Sequence, residues 1–440
     1  MTSSAAASLD SAVPATKRLF GPGIFPVLAV SAFLPYLHKG TGLRYENLIG
    51  SVLALAALGI VLVRGRLQKV FIPTLLLSTA LFALVIASTV LGPTAPGMLK
   101  SGLGRWDHYS RPVAILLVAA VAYHGSTHEE LEHAFQRSIW ILLLGVSLNG
   151  LLQCAQMATD VSAILNPFLP DASAGWTVAS VSAANNRLTG IFNQPLEHGL
   201  VYGVALLSCV YCWRNGRVSP LMLLTSTILI FVGGLLAFSK VFLVVAVPLA
   251  VLQALVQGGV RLRHIAGAII GVAAVAVAAS ILLTQWAGAE AVYALFRMLG
   301  DPQMILLALS GGRLGKEGNL GQEIIVANTL AAFRQSPLFG VGTASGAILR
   351  DNEYLMTLAE CGIVGIFFLF ARFAALLLPL VGRGWRHPAA PFFASLVLLA
   401  FIGGQGGPVS GIPRSGTILW VFLAQLMMLV SSGTRRNPVR

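Results

Sequence analysis

Long apolar stretches separated by short polar ones run through the chain from about residue 23 to residue 431. They show neither the strict alternation of a half-buried strand nor the spaced stripe of a helix with one wet face. A bilayer core takes about 20 apolar residues per helical span, and backbone groups in lipid must be satisfied within their own segment. The runs therefore predict transmembrane helices at about 23–37, 48–63, 71–92, 112–124, 138–158, 196–213, 219–238, 241–257, 264–286, 355–382, 389–404 and 416–431. The fourth is short and reads as tilted or partly buried. The expected fold is an all-α polytopic membrane protein of about 12 transmembrane helices. It divides into a disordered cytoplasmic tail (1–22), helices 1–9 (23–286), a large outer loop (287–354), helices 10–12 (355–431) and a second cytoplasmic tail (432–440).

Composition agrees with this pattern. Of 440 residues 56% are hydrophobic and 10% charged, too little charge to cover a soluble protein of this length. The net charge of +13 is spread singly between apolar runs, which speaks against a nucleic-acid partner. No small-residue cleavage site closes the first apolar run, so it reads as a retained helix and not a secretory signal. Cys209 and Cys212 form a CxxC inside an apolar run and read as small packing residues, not a redox or metal pair.

The charges also orient the chain. With a cytoplasmic N-terminus, the inner loops carry fifteen Lys and Arg against four acids, a net of +11. The outer loops carry thirteen against twelve, a net of +1. This is the positive-inside pattern. Arg372, within the tenth run, fits neither group. It either marks the cytoplasmic end of that span or is an intramembrane charge that needs a partner.

Three outer connections, at about 93–111, 159–195 and 287–354, are too long to be simple turns. They hold Arg105, Arg111, Arg187, Arg297, Arg313, Lys316, Arg334 and Arg350, cations that topology does not require. An anionic ligand at the outer surface would account for them, since guanidinium grips phosphate bidentately; pairing with the acids of the same loops is the alternative. In the largest loop, Gln322–Arg334 has helical spacing along a membrane surface, and SPLFGVGTASG then offers a glycine-rich turn able to present N–H groups to an anion. Arg350-Asp351-Asn352-Glu353 follows at the mouth of a helix, where Asp351 or Asn352 is placed to cap it and a carboxylate to activate an acceptor. A second group, NNRLTGIFNQPLEHG, puts Arg187 in a loop and Glu197 and His198 at the outer edge of a span, either in water or lining a site.

Taken in order, Arg-x-Thr-Gly-x-Phe-Asn, a long outer loop with a Ser-Gly-Arg-like element ending at Arg313, Ser-Pro-Leu-x-Gly-Val-Gly, and x-Asn-x-Tyr-Leu-x-x-Leu-Ala-Glu-x-Gly-Ile-x-Gly resemble the O-antigen ligase and Wzy-type polymerase superfamily over about residues 180–370. The resemblance implies a GT-C-like, metal-independent glycosyltransferase of the bacterial inner membrane, with no cofactor and a periplasmic site. Such an enzyme takes a glycan from an undecaprenyl-diphosphate-linked donor. It passes the glycan to a lipid-linked repeat unit (polymerase, with a chain-length regulator as partner) or to lipid A-core (ligase). By the resemblance Arg187 and Arg313 hold the diphosphate, with Arg334 or Arg350 assisting and Lys316, His198 and Glu197 in support. Ligases of this type carry His where this chain has Asp351, which turns the reading toward an exopolysaccharide or O-antigen polymerase. Asp351 is the first choice for the acceptor base and Glu353 its competitor. A transporter or flippase is the alternative from another class; the polar residues gather in outer loops and not in midplane broken helices, which weighs against it. A reporter fused after Gly315 is expected to read periplasmic and one after Arg386 cytoplasmic. A cytoplasmic signal from the large loop would overturn the orientation and the site together.

Overall fold

The computed structural model describes residues 20–40, 42–65, 67–93, 106–170, 187–215, 218–257, 316–343 and 352–433. Within them the apolar runs fold as helices: α1 (Ile24–Ser31), α2 (Tyr45–Arg64), α3 (Ile72–Leu91), α4 (Asp107–Ala122), α5 (His128–Ala158), α6 (Pro195–Asn215), α7 (Pro220–Leu236), α8 (Val247–Val256), α9 (Lys316–Gln335), α10 (Glu353–Leu377), α11 (Ala390–Gly403) and α12 (Pro413–Gly433). Six stretches have the length and hydropathy to cross a bilayer: Tyr45–Val63, Lys69–Leu91, His128–Ala158, Pro195–Asn215, Glu353–Leu380 and Pro413–Gly433. Shorter apolar helices accompany them. The chain is an all-α membrane protein, and the predicted ninth span lies outside the described residues.

Two predicted boundaries move for local reasons. The first span ends early: α1 stops at Ser31, and a small antiparallel hairpin, β1 (Tyr36–His38) with β2 (Leu43–Arg44), leads into α2. The fifth begins early, because Thr127 starts α5 with a reciprocal cap. The Thr127 hydroxyl accepts from the Glu130 N–H at 3.2 Å, and the Glu130 carboxylate accepts from the Thr127 N–H at 2.8 Å. At 31 residues α5 is about 46 Å long, more than a hydrocarbon core of about 30 Å, so its charged first turns extend past the apolar part.

Contacts sort the helix ends into two groups. At one end the Gln68 N–H, just before α3, donates to Ala120 near the end of α4 at 2.9 Å, and His128 at the start of α5 lies 2.8 Å from Ser432 at the end of α12. At the other end Arg111 of α4 reaches Asn47 of α2 and the turn before α12, and the Leu188 N–H donates to Leu236 at the end of α7. This second group is the polar end of the bundle.

Helix α10 differs from the single straight span predicted at 355–382. Gly362 has φ 65° and ψ −164°, a conformation open essentially to glycine. Residues nineteen apart on a continuous helix are separated by about 28 Å. Yet Arg372 Nη2 lies 3.4 Å from Glu353 Oε1, so the chain folds back at Gly362 into two arms, 353–361 and 363–377. A break of this kind strands N–H and C=O groups that lipid cannot satisfy. Segment 337–343 satisfies them. The N–H groups of Val341 and Gly342 donate to the carbonyls of Ala359 and Glu360, both at 2.9 Å, and those of Ile363 and Val364 donate to Pro337 and Leu338 at 2.9 and 3.2 Å. The segment is fixed in turn to α3: Ser88 Oγ donates to the Phe339 carbonyl at 2.5 Å, and the Thr343 N–H donates to Thr89 Oγ1 at 2.9 Å. The glycine-rich turn expected to offer N–H groups to an anion therefore spends those of residues 340–343 on the protein itself.

A Cβ at Gly362 would sit 2.3 Å from the Leu338 backbone, in addition to a conformational cost of about 1–3 kcal/mol. Gly362→Ala is therefore expected to lower the thermal midpoint of the detergent-solubilised protein sharply, as followed by size-exclusion recovery. Gly59→Ala, with open space around its Cβ, is expected to match the wild type. Equal midpoints for all three proteins would mean that the break is not what holds this region.

Candidate functional site

The polar end contains two buried charge networks. The first grows from the start of α6. Glu197, in the first turn, accepts the Asn193 N–H on Oε2 at 2.8 Å, which closes the helix start. Its Oε1 accepts the Arg414 N–H from the start of α12 at 3.3 Å and lies 3.5 Å from Arg44 Nη1. Arg44 also pairs with Glu46 at 3.5 Å, donates to the Tyr36 hydroxyl and stacks on that ring at 4.4 Å. Burial opposes the charge on Arg44, but Glu197, Tyr36 and Glu46 outweigh it, so its pKa lies above the ordinary arginine value. The Arg414 guanidinium binds backbone carbonyls: Ile191, Leu34 at 3.3 Å and Phe168 at 3.1 Å. It thereby joins the end of α1 and the two halves of the α5–α6 connection.

The second network lies across the α10 fold. Arg372 is fully buried and contacts Glu353 at 3.4 Å and Ser410 Oγ at 3.0 Å, with its guanidinium carbon 5.2 Å from the Trp420 ring centre. Of the two readings of Arg372, the structure bears out the buried charge with a partner. Near the bend, the Tyr109 hydroxyl donates to Glu360 Oε2 at 2.7 Å. Arg111 ties the networks together, donating to the Gly411 carbonyl at 2.6 Å and to Asn47 Oδ1 at 3.0 Å.

The sequence-predicted residues fall unevenly on this frame. Glu197 and Glu353 are buried and each holds an arginine, one in each network. His198 is buried beside Glu197, 3.0 Å from Gln153 and stacked on Tyr202 with ring centres 3.7 Å apart. Arg187 is half-buried and makes no hydrogen bond or ion pair to another described residue; burial alone holds its pKa below the ordinary value. Arg334 is exposed in the last turn of α9. Lys316 begins α9, and its side chain lies outside the described residues, as do Arg313, Arg350 and Asp351 altogether. The cap of α10 belongs to Asn352, whose Oδ1 accepts from the Tyr354 and Leu355 N–H groups at 3.0 and 3.1 Å.

Sequence reading missed Tyr36, Arg44, Glu46 and Arg414. A signal existed: RYE (44–46) and PRSG (413–416) each set an arginine at the outer edge of an apolar run, as LEHG sets Glu197. Chemically, the arginines of the two networks are engaged with carboxylates or carbonyls, whereas Arg187 has no such partner among the described residues. No protein-family model matches the chain, and no curated protein matches it.

Breaking a buried ion pair by removing one partner typically costs about 3–5 kcal/mol, while replacing both with apolar groups can be neutral. Glu353→Gln is therefore expected to lower the thermal midpoint strongly. Glu353→Leu combined with Arg372→Met is expected to recover most of the loss. Additive losses in the double variant would show that the two arms of α10 are not held by this pair.

Proposed function

We propose that the chain is a metal-independent glycosyltransferase of the bacterial inner membrane. In this reading it takes a glycan from an undecaprenyl-diphosphate carrier at the periplasmic face and acts as a Wzy-type polysaccharide polymerase. The observation that carries the reading is Arg187. Each buried arginine at the polar end has a described acceptor, whereas this half-buried one has none among the described residues. Leaving a guanidinium uncompensated and partly desolvated is unfavourable unless an anionic ligand completes it. A diphosphate matches its planar, bidentate donor set. The charge split supports an outer location for this end, with about twelve spans in a GT-C-like arrangement and both termini cytoplasmic.

The reaction follows from these roles. An acceptor hydroxyl attacks the anomeric carbon of the donor; the new glycosidic bond forms as the bond from that carbon to the diphosphate oxygen breaks. Arg187, with Arg313 and either Arg334 or Arg350, takes up the charge that develops on the leaving diphosphate. The acceptor proton goes to a carboxylate. Glu353 is engaged with Arg372 and Asn352 with the helix cap, which supports Asp351, the remaining acid of this run, as that base. An α-linked donor would be inverted by a single displacement. Asp at this position in place of the ligase histidine favours a second lipid-linked repeat unit as acceptor over lipid A-core.

Two substitutions test this with purified protein and a lipid-linked donor. Arg187→Ala is expected to abolish transfer at normal membrane abundance, and Arg187→Lys to restore little, because an ammonium lacks the planar fork. Asp351→Asn is expected to cut turnover by about 100- to 10,000-fold with an unchanged melting temperature. Wild-type turnover in Arg187→Ala would remove the diphosphate role; wild-type turnover in Asp351→Asn would move the search for the base elsewhere.

A further inference from the structure

Two amide side chains on α5, Asn149 and Gln153, are buried one helical turn apart, and neither has a role in the reading above. Both face residues 188–191, the backbone that follows Arg187. The Ile191 N–H donates to Asn149 Oδ1 at 2.8 Å, and Asn149 Nδ2 lies 3.5 Å from the Thr189 carbonyl. Gln153 Nε2 donates to the Leu188 carbonyl and, at 3.2 Å, to Gly233 of α7. Helix α6 locks the amides themselves. The Tyr202 hydroxyl donates to Gln153 Oε1 at 2.8 Å and accepts from Asn149 Nδ2 at 3.0 Å. From the far sides, the Leu188 N–H donates to Leu236 at 3.0 Å and the Ile191 carbonyl accepts from Arg414.

Glycines make room for this socket. Gly190 has φ 61°, and a Cβ there would meet Asn149 Oδ1 at 2.0 Å; a Cβ on Gly233 would meet Gln153 Oε1 at 2.5 Å. Burying two amides inside a membrane bundle is expensive unless their donors and acceptors are matched. Apolar residues would pack α5 against α6 and α7 without that cost. What the amides supply, and apolar residues would not, is a fixed backbone path for residues 188–191.

We propose that Asn149 and Gln153 are positioning residues for Arg187, holding the adjoining backbone so that its guanidinium meets the diphosphate of a polyprenyl-linked donor. This rests on the assignment of Arg187 to that diphosphate, and the test separates the two. The full chain in detergent is titrated with undecaprenyl diphosphate, and with undecaprenol as the uncharged probe, by native mass spectrometry. Gln153→Met is expected to weaken diphosphate binding by about tenfold or more, and Tyr202→Phe by about threefold, since small misplacements of a binding group are costly. Undecaprenol binding is expected to stay at the wild-type level in both. Leu142→Ala, a buried truncation elsewhere on α5, controls for lost stability and is expected to leave both affinities unchanged. Should Gln153→Met fail to accumulate, Tyr202→Phe, which removes a single oxygen, decides the matter. Diphosphate binding at the wild-type level in the socket variants, with Arg187→Ala defective, overturns the positioning role and leaves the Arg187 assignment standing. Wild-type binding in Arg187→Ala overturns the assignment and the positioning role with it.

Discussion

A backbone N–H or C=O buried away from water must find its partner within the protein, and the break in α10, among buried residues, makes that constraint govern the packing around it. Breaking the helix at Gly362 exposes the carbonyls of Ala359 and Glu360 on one side and the N–H groups of Ile363 and Val364 on the other. Residues 337–342 complete all four, which makes this short stretch part of the helix it follows in the fold, although it precedes it in sequence. The folded-back arm brings Glu353 to Arg372, and Arg372 reaches Ser410 in the turn before α12. Tyr109 reaches Glu360 beside the bend, tying α4 to the same point. A straight α10 would hold Glu353 and Arg372 about 28 Å apart and break their pair. The hydrogen bonds around the bend and the second charge network therefore stand or fall together.

The first network obeys the same rule with side chains. Arg44 and Glu197 are too costly to bury singly and acceptable as a pair, with Glu46 and the Tyr36 ring closing the remaining sides. The Arg414 guanidinium hydrogen-bonds to carbonyls while its backbone N–H reaches Glu197, so this network sets two arginines against two glutamates. Half-buried Arg187 stands outside this balance, with no carboxylate partner among the described residues. In the proposed reaction Arg187 would meet the leaving diphosphate, and a fixed charge of that kind needs no rearrangement as the bond breaks.

Much of the fold was legible in the hydropathy pattern, because a long apolar run in lipid has few options besides a helix. The α5 capping box also stands in the sequence as Thr127 and Glu130. The bend at Gly362 was not legible. Glycine is common in membrane helices, and nothing in AECGIVG distinguishes a residue that packs closely from one that must take positive φ; the distinction is made by residues 337–342. The Glu353–Arg372 pair was hidden for the same reason, since no helical period joins residues nineteen apart. At the polar end, Glu197 and His198 drew notice as ionisable residues at a span edge. The partners of Glu197, Arg44 and Arg414, come from helices far apart in the chain, and local reading does not join them. Asn149 and Gln153 were not singled out, because several of their partners are backbone atoms, which carry no mark in the sequence.

The run Asp351-Asn352-Glu353 shows what the structure adds to a motif. In the sequence its members compete for the same two roles, cap and base. In the fold Asn352 takes the cap with two N–H groups, and Glu353 is drawn inward to Arg372. Each assignment removes an alternative for Asp351 on physical grounds. A helix start needs one capping oxygen acceptor of this kind, and Asn352 supplies it; a buried guanidinium needs a carboxylate, and Glu353 supplies that. In the proposed mechanism this leaves Asp351, which lies outside the described residues, as the acid of the run assigned to the acceptor. That argument from elimination is independent of the one that singles out Arg187, a cation with no acceptor among the described residues, and the proposal draws on both.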